Sequence, residues 1–331
     1  MDKLSYEYLL AHHSGVVSRD LLADAVKAGR VQGNGGSLPI TATAKIGDVV
    51  SVGDQRYRMI AGGRDDRLQV EVMDTAPRMI TTPVRAYCGY HKCLTEYTKK
   101  VFKKICRPPL KKGASFNHYY HRSDAFYQNC AQHTISSLSG HAIDLSRFSD
   151  IRVVRFIRDP RDLLVSAYFY HKRSAEPWCD VAAPRDIDWK IVNGAVPAVL
   201  GQEQSLSKYL NSASVEEGLF AELEFRRHHF DSMRWWPLED ERVMLFKYED
   251  ILGCEAAVFN ELLTFMELPF ALRVAGKYYA KRYSAVQKGG KKGHIRNVNS
   301  GQWRQHFTPA LQSRFNELYG DILERYGYPL T

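Results

Sequence analysis

Residues 154–173 read Val-Arg-Phe-Ile-Arg-Asp-Pro-Arg-Asp-Leu-Leu-Val-Ser-Ala-Tyr-Phe-Tyr-His-Lys-Arg. Arg152 to Ile157 is β-branched and apolar, as a buried parallel strand is. Asp159-Pro160 then predicts a helix start, with Asp as N-cap and Pro at the first helical position, where its missing N–H costs nothing. Leu163, Leu164, Ala167 and Tyr168 fall on the inward face of that helix. Arg158 therefore ends a strand, and open α/β sheets bind ligands outside the carboxyl ends of their strands. Ser166 follows about two helical turns later. An Arg can fork two hydrogen bonds onto a phosphate, and a Ser hydroxyl can add a third. The stretch predicts a strand–turn–helix unit with an anion site at its tip.

A second unit of this kind lies upstream. Val84 to Cys88 reads as a strand, and Leu94, Tyr97, Val101 and Ile105 mark one stripe of a helix. Between them, residues 87–98 read Tyr-Cys-Gly-Tyr-His-Lys-Cys-Leu-Thr-Glu-Tyr-Thr. Amides at a helix N-terminus attract anions, and Lys92 adds a point charge there. The loop lacks the Gly-x4-Gly-Lys-Ser/Thr pattern of a standard P-loop. Downstream, a strand runs through Val243 to Phe246, and a helix carries Phe259, Leu262, Leu263 and Met266. Leu219, Leu223, Phe230 and Met233 predict one helix before that strand, and a last helix begins at Thr308-Pro309. Strands alternating with helices predict an α/β fold with a parallel sheet flanked by helices. Residues 289–308 contain Gly-Gly-Lys-Lys-Gly, Arg296 and Ser-Gly-Gln-Trp-Arg-Gln-His-Phe-Thr, a Gly- and Lys-rich segment suited to closing over a charged ligand.

Together these three stretches resemble the sulfotransferases that use 3′-phosphoadenosine 5′-phosphosulfate (PAPS). Residues 154–173 resemble the family's 3′-phosphate segment, Arg-Asn/Asp-Pro-x-Asp followed by Val-Ser-x-Tyr, which implies that Arg158 and Ser166 hold that phosphate. The upstream loop is similar to the family's Pro-Lys-Ser-Gly-Thr-Thr-Trp, with Lys92 at the Lys, Thr95 at the first Thr and Tyr97 at the adenine-stacking aromatic. It departs from that pattern at His91 for Pro, Leu94 for Gly and Glu96 for Thr. The C-terminal segment matches at Arg296, Gly301, Trp303, His306, Phe307 and Thr308. Tyr248, in Tyr-Glu-Asp, matches a position near the adenine, and Tyr283 is the candidate for its other face, with core packing the alternative for each ring.

The resemblance covers residues 79–331 and implies a sulfotransferase fold. It implies transfer of a sulfuryl group from PAPS to an acceptor hydroxyl or amine by in-line displacement, leaving adenosine 3′,5′-bisphosphate (PAP), with no metal. Lys92 is expected at the leaving phosphate oxygen. The family often carries a general base on the segment before the strand that ends in the Arg, which points to His141. His133, His118, His121 and Glu96 are the other candidates.

The full composition is compatible with this reading. The chain has 331 residues, 44% of them apolar, and a net charge of +9, so a large core and anionic ligands are both expected. The six cysteines, at 88, 93, 106, 130, 179 and 254, show no secreted-domain spacing. No window of about 18 consecutive apolar residues predicts a membrane span. Asp2, Lys3 and Glu7 argue against a secretory signal, so a cytoplasmic protein with reduced thiols is expected.

Residues 1–78 form a separate expectation: a helix over Ser18 to Ala28, then strands at Val49 to Val52 and Arg56 to Ile60. This module resembles an S4-like RNA-binding fold, with a small structural cap as the alternative. The expected partner is a small-molecule or carbohydrate acceptor rather than nucleic acid, and a homodimer is the assembly considered. Two other functions stay open on sequence. One is a P-loop-type kinase, which would bind nucleotide triphosphate with magnesium. The other is a nucleic-acid-binding protein whose catalytic domain has decayed, which would show steeply salt-dependent binding.

Overall fold

The computed structural model describes residues 16–18, 31–33, 49–52, 55–62, 67–73, 79–107, 113–173, 176–189, 192–200, 204–234, 236–284 and 299–331. The N-terminal part contributes five antiparallel strands: β1 (Val16–Ser18), β2 (Val31–Gly33), β3 (Val49–Val52), β4 (Gln55–Gly62) and β5 (Arg67–Met73), in the order β1-β5-β4-β3-β2. Two of these strands fall where they are expected, at 49–52 and over 56–60. Of the helix expected over Ser18 to Ala28, Ser18 ends β1 and residues 19–28 lie outside the described residues.

The second sheet is parallel throughout. Its strands are β6 (Val84–Gly89), β7 (Phe116–His118), β8 (Ile135–Ser139), β9 (Ile151–Ile157) and β10 (Val243–Lys247), ordered β10-β9-β6-β8-β7. Parallel neighbours require crossovers, and helices supply several of them, so the sheet is buried on both faces. The strand sequences show this directly. Along β6 and β9, Val84, Ala86, Cys88, Ile151 and Val153 pack into one apolar cluster, while Tyr87, Val154 and Phe156 pack into the other. This is the period-two alternation of a strand with two apolar sides.

Helices accompany these strands along the chain. Helix α1 (Thr95–Ile105) follows β6. Helix α2 (Ser123–Asn129) lies between β7 and β8. Helix α3 (Pro160–Lys172) starts where Asp159 accepts a hydrogen bond from the Arg161 N–H and Pro160 takes the first helical position, as expected. The single helix expected through Leu219 and Met233 is in fact two, α4 (Val215–Phe225) and α5 (Arg227–Arg234). The break falls at Arg226, which leaves the helical region (φ −85°, ψ 3°). The apolar stripe runs on across the break, so periodicity alone could not reveal it. After β10 come α6 (Glu255–Phe265), α7 (Phe270–Tyr283) and α8 (Pro309–Arg325), the last capped by the Thr308 hydroxyl. Among the described residues no helix is long and apolar enough to cross a membrane.

Candidate active site

All five parallel strands end at one cavity of about 790 Å³. His118 is the last residue of β7 and Ser139 the last of β8. His91 and Lys92 follow β6, Arg158 follows β9 and Tyr248 follows β10. Each of these residues lines the cavity, which puts it where a parallel α/β sheet builds ligand sites.

The cavity gathers Lys92, Thr95, Tyr97, Arg158, Ser166, Tyr248 and Tyr283 from four separate parts of the chain. Arg158 is almost fully buried. Its guanidinium lies 4.4 Å from the Tyr248 ring centre, and its Nη2 donates to the Asn299 carbonyl at 3.2 Å. Asp162, one helical turn on, is 3.8 Å from that Nη2. Among the described residues, the Nε of Arg158 is buried without a hydrogen-bond partner. A buried N–H left unmatched is costly, and an anion oxygen would satisfy it. The residues present therefore fit a phosphate at this point.

Asp162 joins the two ends of this region. Its carboxylate accepts from the Gly301 and Trp303 N–H groups at 2.6 and 2.9 Å. Gly301 adopts φ +79°, a conformation glycine reaches without strain. Burial raises the Asp162 pKa above the usual carboxylate value, against the pull of Arg158 and of these two amides. Arg296 lies outside the described residues, as do Lys288, Lys291 and Lys292.

The Lys92 loop holds its shape at a cost. Lys92 has φ +70° and Leu94 φ +55°, both left-handed, which costs an L-residue roughly 1–2 kcal/mol. Leu94 thus adopts a backbone conformation that glycine reaches without penalty. The Thr95 hydroxyl donates to the Tyr90 carbonyl at 3.0 Å, bracing the turn. Glu96 lines the cavity mouth, largely exposed, and pairs with Lys99 at 2.6 Å, which offsets its charge beside an anion at this loop. The Lys92 ammonium lies 4.0 Å from the centre of the Tyr170 ring, and the Tyr170 hydroxyl donates to Glu176 at 2.7 Å. Burial first, then Arg226, Arg173 and Arg158, lower the Lys92 pKa to about 8.

The aromatic positions are mixed. Tyr97 donates to the Ala280 carbonyl at 2.9 Å and packs edge-on against Phe259. Tyr283 lies beneath the Lys100 ammonium, 4.2 Å from its ring centre, and stacks on Tyr279.

His141 does not line the cavity. Its Nε2 donates to the His121 carbonyl at 3.0 Å, which places it behind that residue. Gly140 fits close to the same group: it takes φ +71°, and a Cβ there would come 2.7 Å from His121 Nδ1. The imidazoles on the cavity wall are His91, His118, His121 and His229. His118 Nδ1 is hydrogen-bonded to the Ser137 hydroxyl at 2.8 Å. Burial, with Lys99 and Lys103, pushes the His118 pKa down to about 3, so the ring is neutral. His133 is half-buried beside Ser115 and is absent from the wall.

Several wall residues carried no sequence signal. Arg226 and Phe225 come from the break between α4 and α5, and Phe169, Tyr170, Arg173 and Trp178 from the end of α3 and the segment after it. Trp178 and Phe225 stack at 5.0 Å.

Residues 141–327 match the family described as the sulfotransferase domain. No curated protein matches the chain in sequence. Among solved structures, mouse sulfotransferase SULT7A1 complexed with PAP is 12% identical, with 76% of this chain and 87% of that chain covered at a TM-score of 0.46. Retinol dehydratase in complex with androsterone and inactive cofactor PAP is also 12% identical, with 92% and 94% covered at a TM-score of 0.41.

Proposed function

The chain belongs to the sulfotransferase domain family, and from that premise we propose that it transfers a sulfuryl group from PAPS to a hydroxyl or amine of a small-molecule or carbohydrate acceptor. The convergence of Lys92, Arg158 and Ser166 on one cavity carries this reading. The family match leaves the kinase and the decayed-domain readings without support.

In this proposal Arg158 and Ser166 hold the 3′-phosphate, with the unmatched Nε of Arg158 supplying a further donor. Tyr97, Tyr248 and Tyr283 border the adenine, and Arg296 closes the nucleotide site. The acceptor oxygen attacks sulfur as the bond from sulfur to the 5′-phosphate oxygen breaks, and the bonding electron pair departs on that oxygen. Lys92 stabilises the charge that develops there. His118 takes the acceptor proton in the tautomer whose Nδ1–H donates to the Ser137 oxygen, which leaves Nε2 as the accepting atom. His141 acts behind it by holding the His121 backbone. The aromatic wall of Phe169, Trp178 and Phe225 suits an acceptor with apolar surface. We further propose that residues 79–331 form the catalytic domain and residues 1–78 a separate module.

Calorimetry with PAP tests the nucleotide assignment. Wild type binds, and Arg158→Ala weakens binding by about 100-fold, since each hydrogen bond to a charged group contributes roughly 1.5–3 kcal/mol. Equal affinities would sink the reading. The base is tested by PAPS consumption over a pool of acceptors. His118→Ala lowers turnover by about 100-fold or more, and His141→Gln lowers it far less. The reverse ranking would restore His141 as the base.

A further inference from the structure

One buried group of charged and polar side chains lies against the cavity with no part in the scheme above. Glu222 and Arg226, one helical turn apart, are both fully buried. Arg226 Nε donates to Glu222 Oε1 at 2.9 Å, and the other Glu222 oxygen accepts from His171 Nδ1 at 2.7 Å. Arg226 Nη2 reaches His91 Nδ1 at 2.9 Å. His91 in turn stacks on His171, with ring centres 5.6 Å apart.

The last of these hydrogen bonds decides the chemistry of His91. A guanidinium only donates, so His91 Nδ1 accepts, and the ring's proton sits on Nε2. Protonating Nδ1 would set two donors against each other. Burial and the Arg226 charge push in the same direction, holding the His91 pKa well below its ordinary value. His91 is thus a fixed neutral donor rather than a base. It precedes Lys92 in sequence and shares the Tyr170 ring with it: His91 meets that ring edge-on at 5.1 Å, and Lys92 lies over it. Arg226 lines the same cavity, and its Nη1 is buried with no hydrogen-bond partner among the described residues.

We propose that His91 Nε2–H and Arg226 Nη1–H form an oxyanion cradle for the sulfuryl group itself, with Glu222 and His171 holding the two donors in place. The inference rests on the sulfotransferase reading and adds a site to it. Lys92 serves the leaving phosphate oxygen, whereas the cradle serves the oxygens that stay on sulfur. These oxygens keep their negative charge throughout transfer, so donors fixed in advance need no rearrangement as the S–O bond breaks and the new one forms. No proton moves through the cradle.

PAPS and PAP differ in the sulfuryl group, so a pair of calorimetric titrations isolates it. In His91→Ala the affinity for PAPS falls about ten-fold while that for PAP stays within about two-fold. His91→Gln, whose amide nitrogen lies near the position of Nε2, recovers most of the loss. Equal effects on both nucleotides, or no effect on PAPS, overturn the cradle and leave the sulfotransferase reading standing. Wild type binding neither nucleotide overturns both. Nitrogen NMR of the wild-type histidines gives a second readout that needs no variant. His91 keeps Nε2 protonated and Nδ1 bare from pH 5 to 8 (about the range in which a free imidazole titrates), and a protonated Nδ1 removes the donor assignment.

Discussion

The turn after β6 and the turn after β9 deliver a cation each to the same cavity, yet they are built by opposite means. The β9 turn is specified by side chains. Asp159 caps the helix and pairs with Arg161, and Pro160 fixes the first helical φ. The β6 turn has no side-chain cap at its helix start. Its shape comes from two left-handed residues, Lys92 and Leu94, braced by Thr95. A turn made by capping is held by ordinary folding interactions. A turn made by left-handed backbone stores strain, which the surrounding packing must hold in place. The strained turn is also the one that carries the proposed chemistry.

That contrast can be broken at three points. The largest effect is expected at Asp159→Ala. It removes the cap and leaves the fully buried Arg161 without its carboxylate, so stability falls by about 3 kcal/mol. Urea denaturation measures this, and a loss under about 1 kcal/mol would mean that the cap does not specify the turn.

Next is the charge on Lys92. Its pKa in the free protein is about 8, below the ordinary lysine value. The phosphate ligand binds the protonated form, so affinity for PAP is flat below pH 8. Above pH 8 each bound ligand must also restore a proton, and affinity falls toward about ten-fold per pH unit. Calorimetry from pH 6.5 to 9.5 (about 1.5 units on either side of the shifted lysine value) follows this fall, and Lys92→Met flattens it. A slope that survives in the variant would assign the titration to another group.

The smallest effect is expected at Leu94→Gly. Relief of left-handed strain favours the variant by roughly 1–2 kcal/mol, and glycine's unfolded-state entropy takes back about 0.5–1 kcal/mol. The net is a gain of at most about 1.5 kcal/mol, opposite in sign to that of Asp159→Ala. A destabilised variant would show that Leu94 packing outweighs its backbone strain.

The same contrast explains what could be read before the fold was known. Capping residues announce themselves, so the strand, turn and helix around Arg158 were legible in detail, as was the parallel character of the sheet. The β6 turn was legible as a turn with Lys92 at its tip, but the left-handed backbone of Leu94 was not, because nothing local encodes it. The base we propose differs from the one expected from the sequence for a different reason. His141 was chosen on its place along the chain, whereas the cavity is bounded by strand ends, and β7 was hidden in what looked like a loop. The cluster of His91, His171, Glu222 and Arg226 was beyond reach. Arg226 and His91 are 135 positions apart, and only the break between α4 and α5 brings the guanidinium to the loop.

Thr95 has one further consequence. A hydroxyl owns a single hydrogen, and here that hydrogen is already committed to the Tyr90 carbonyl. A phosphate arriving at this residue can recruit it only by exchange, releasing the carbonyl that braces the turn. Occupancy and loop rigidity are then two readings of one hydrogen bond, and the filled cavity is framed by a differently held loop from the empty one.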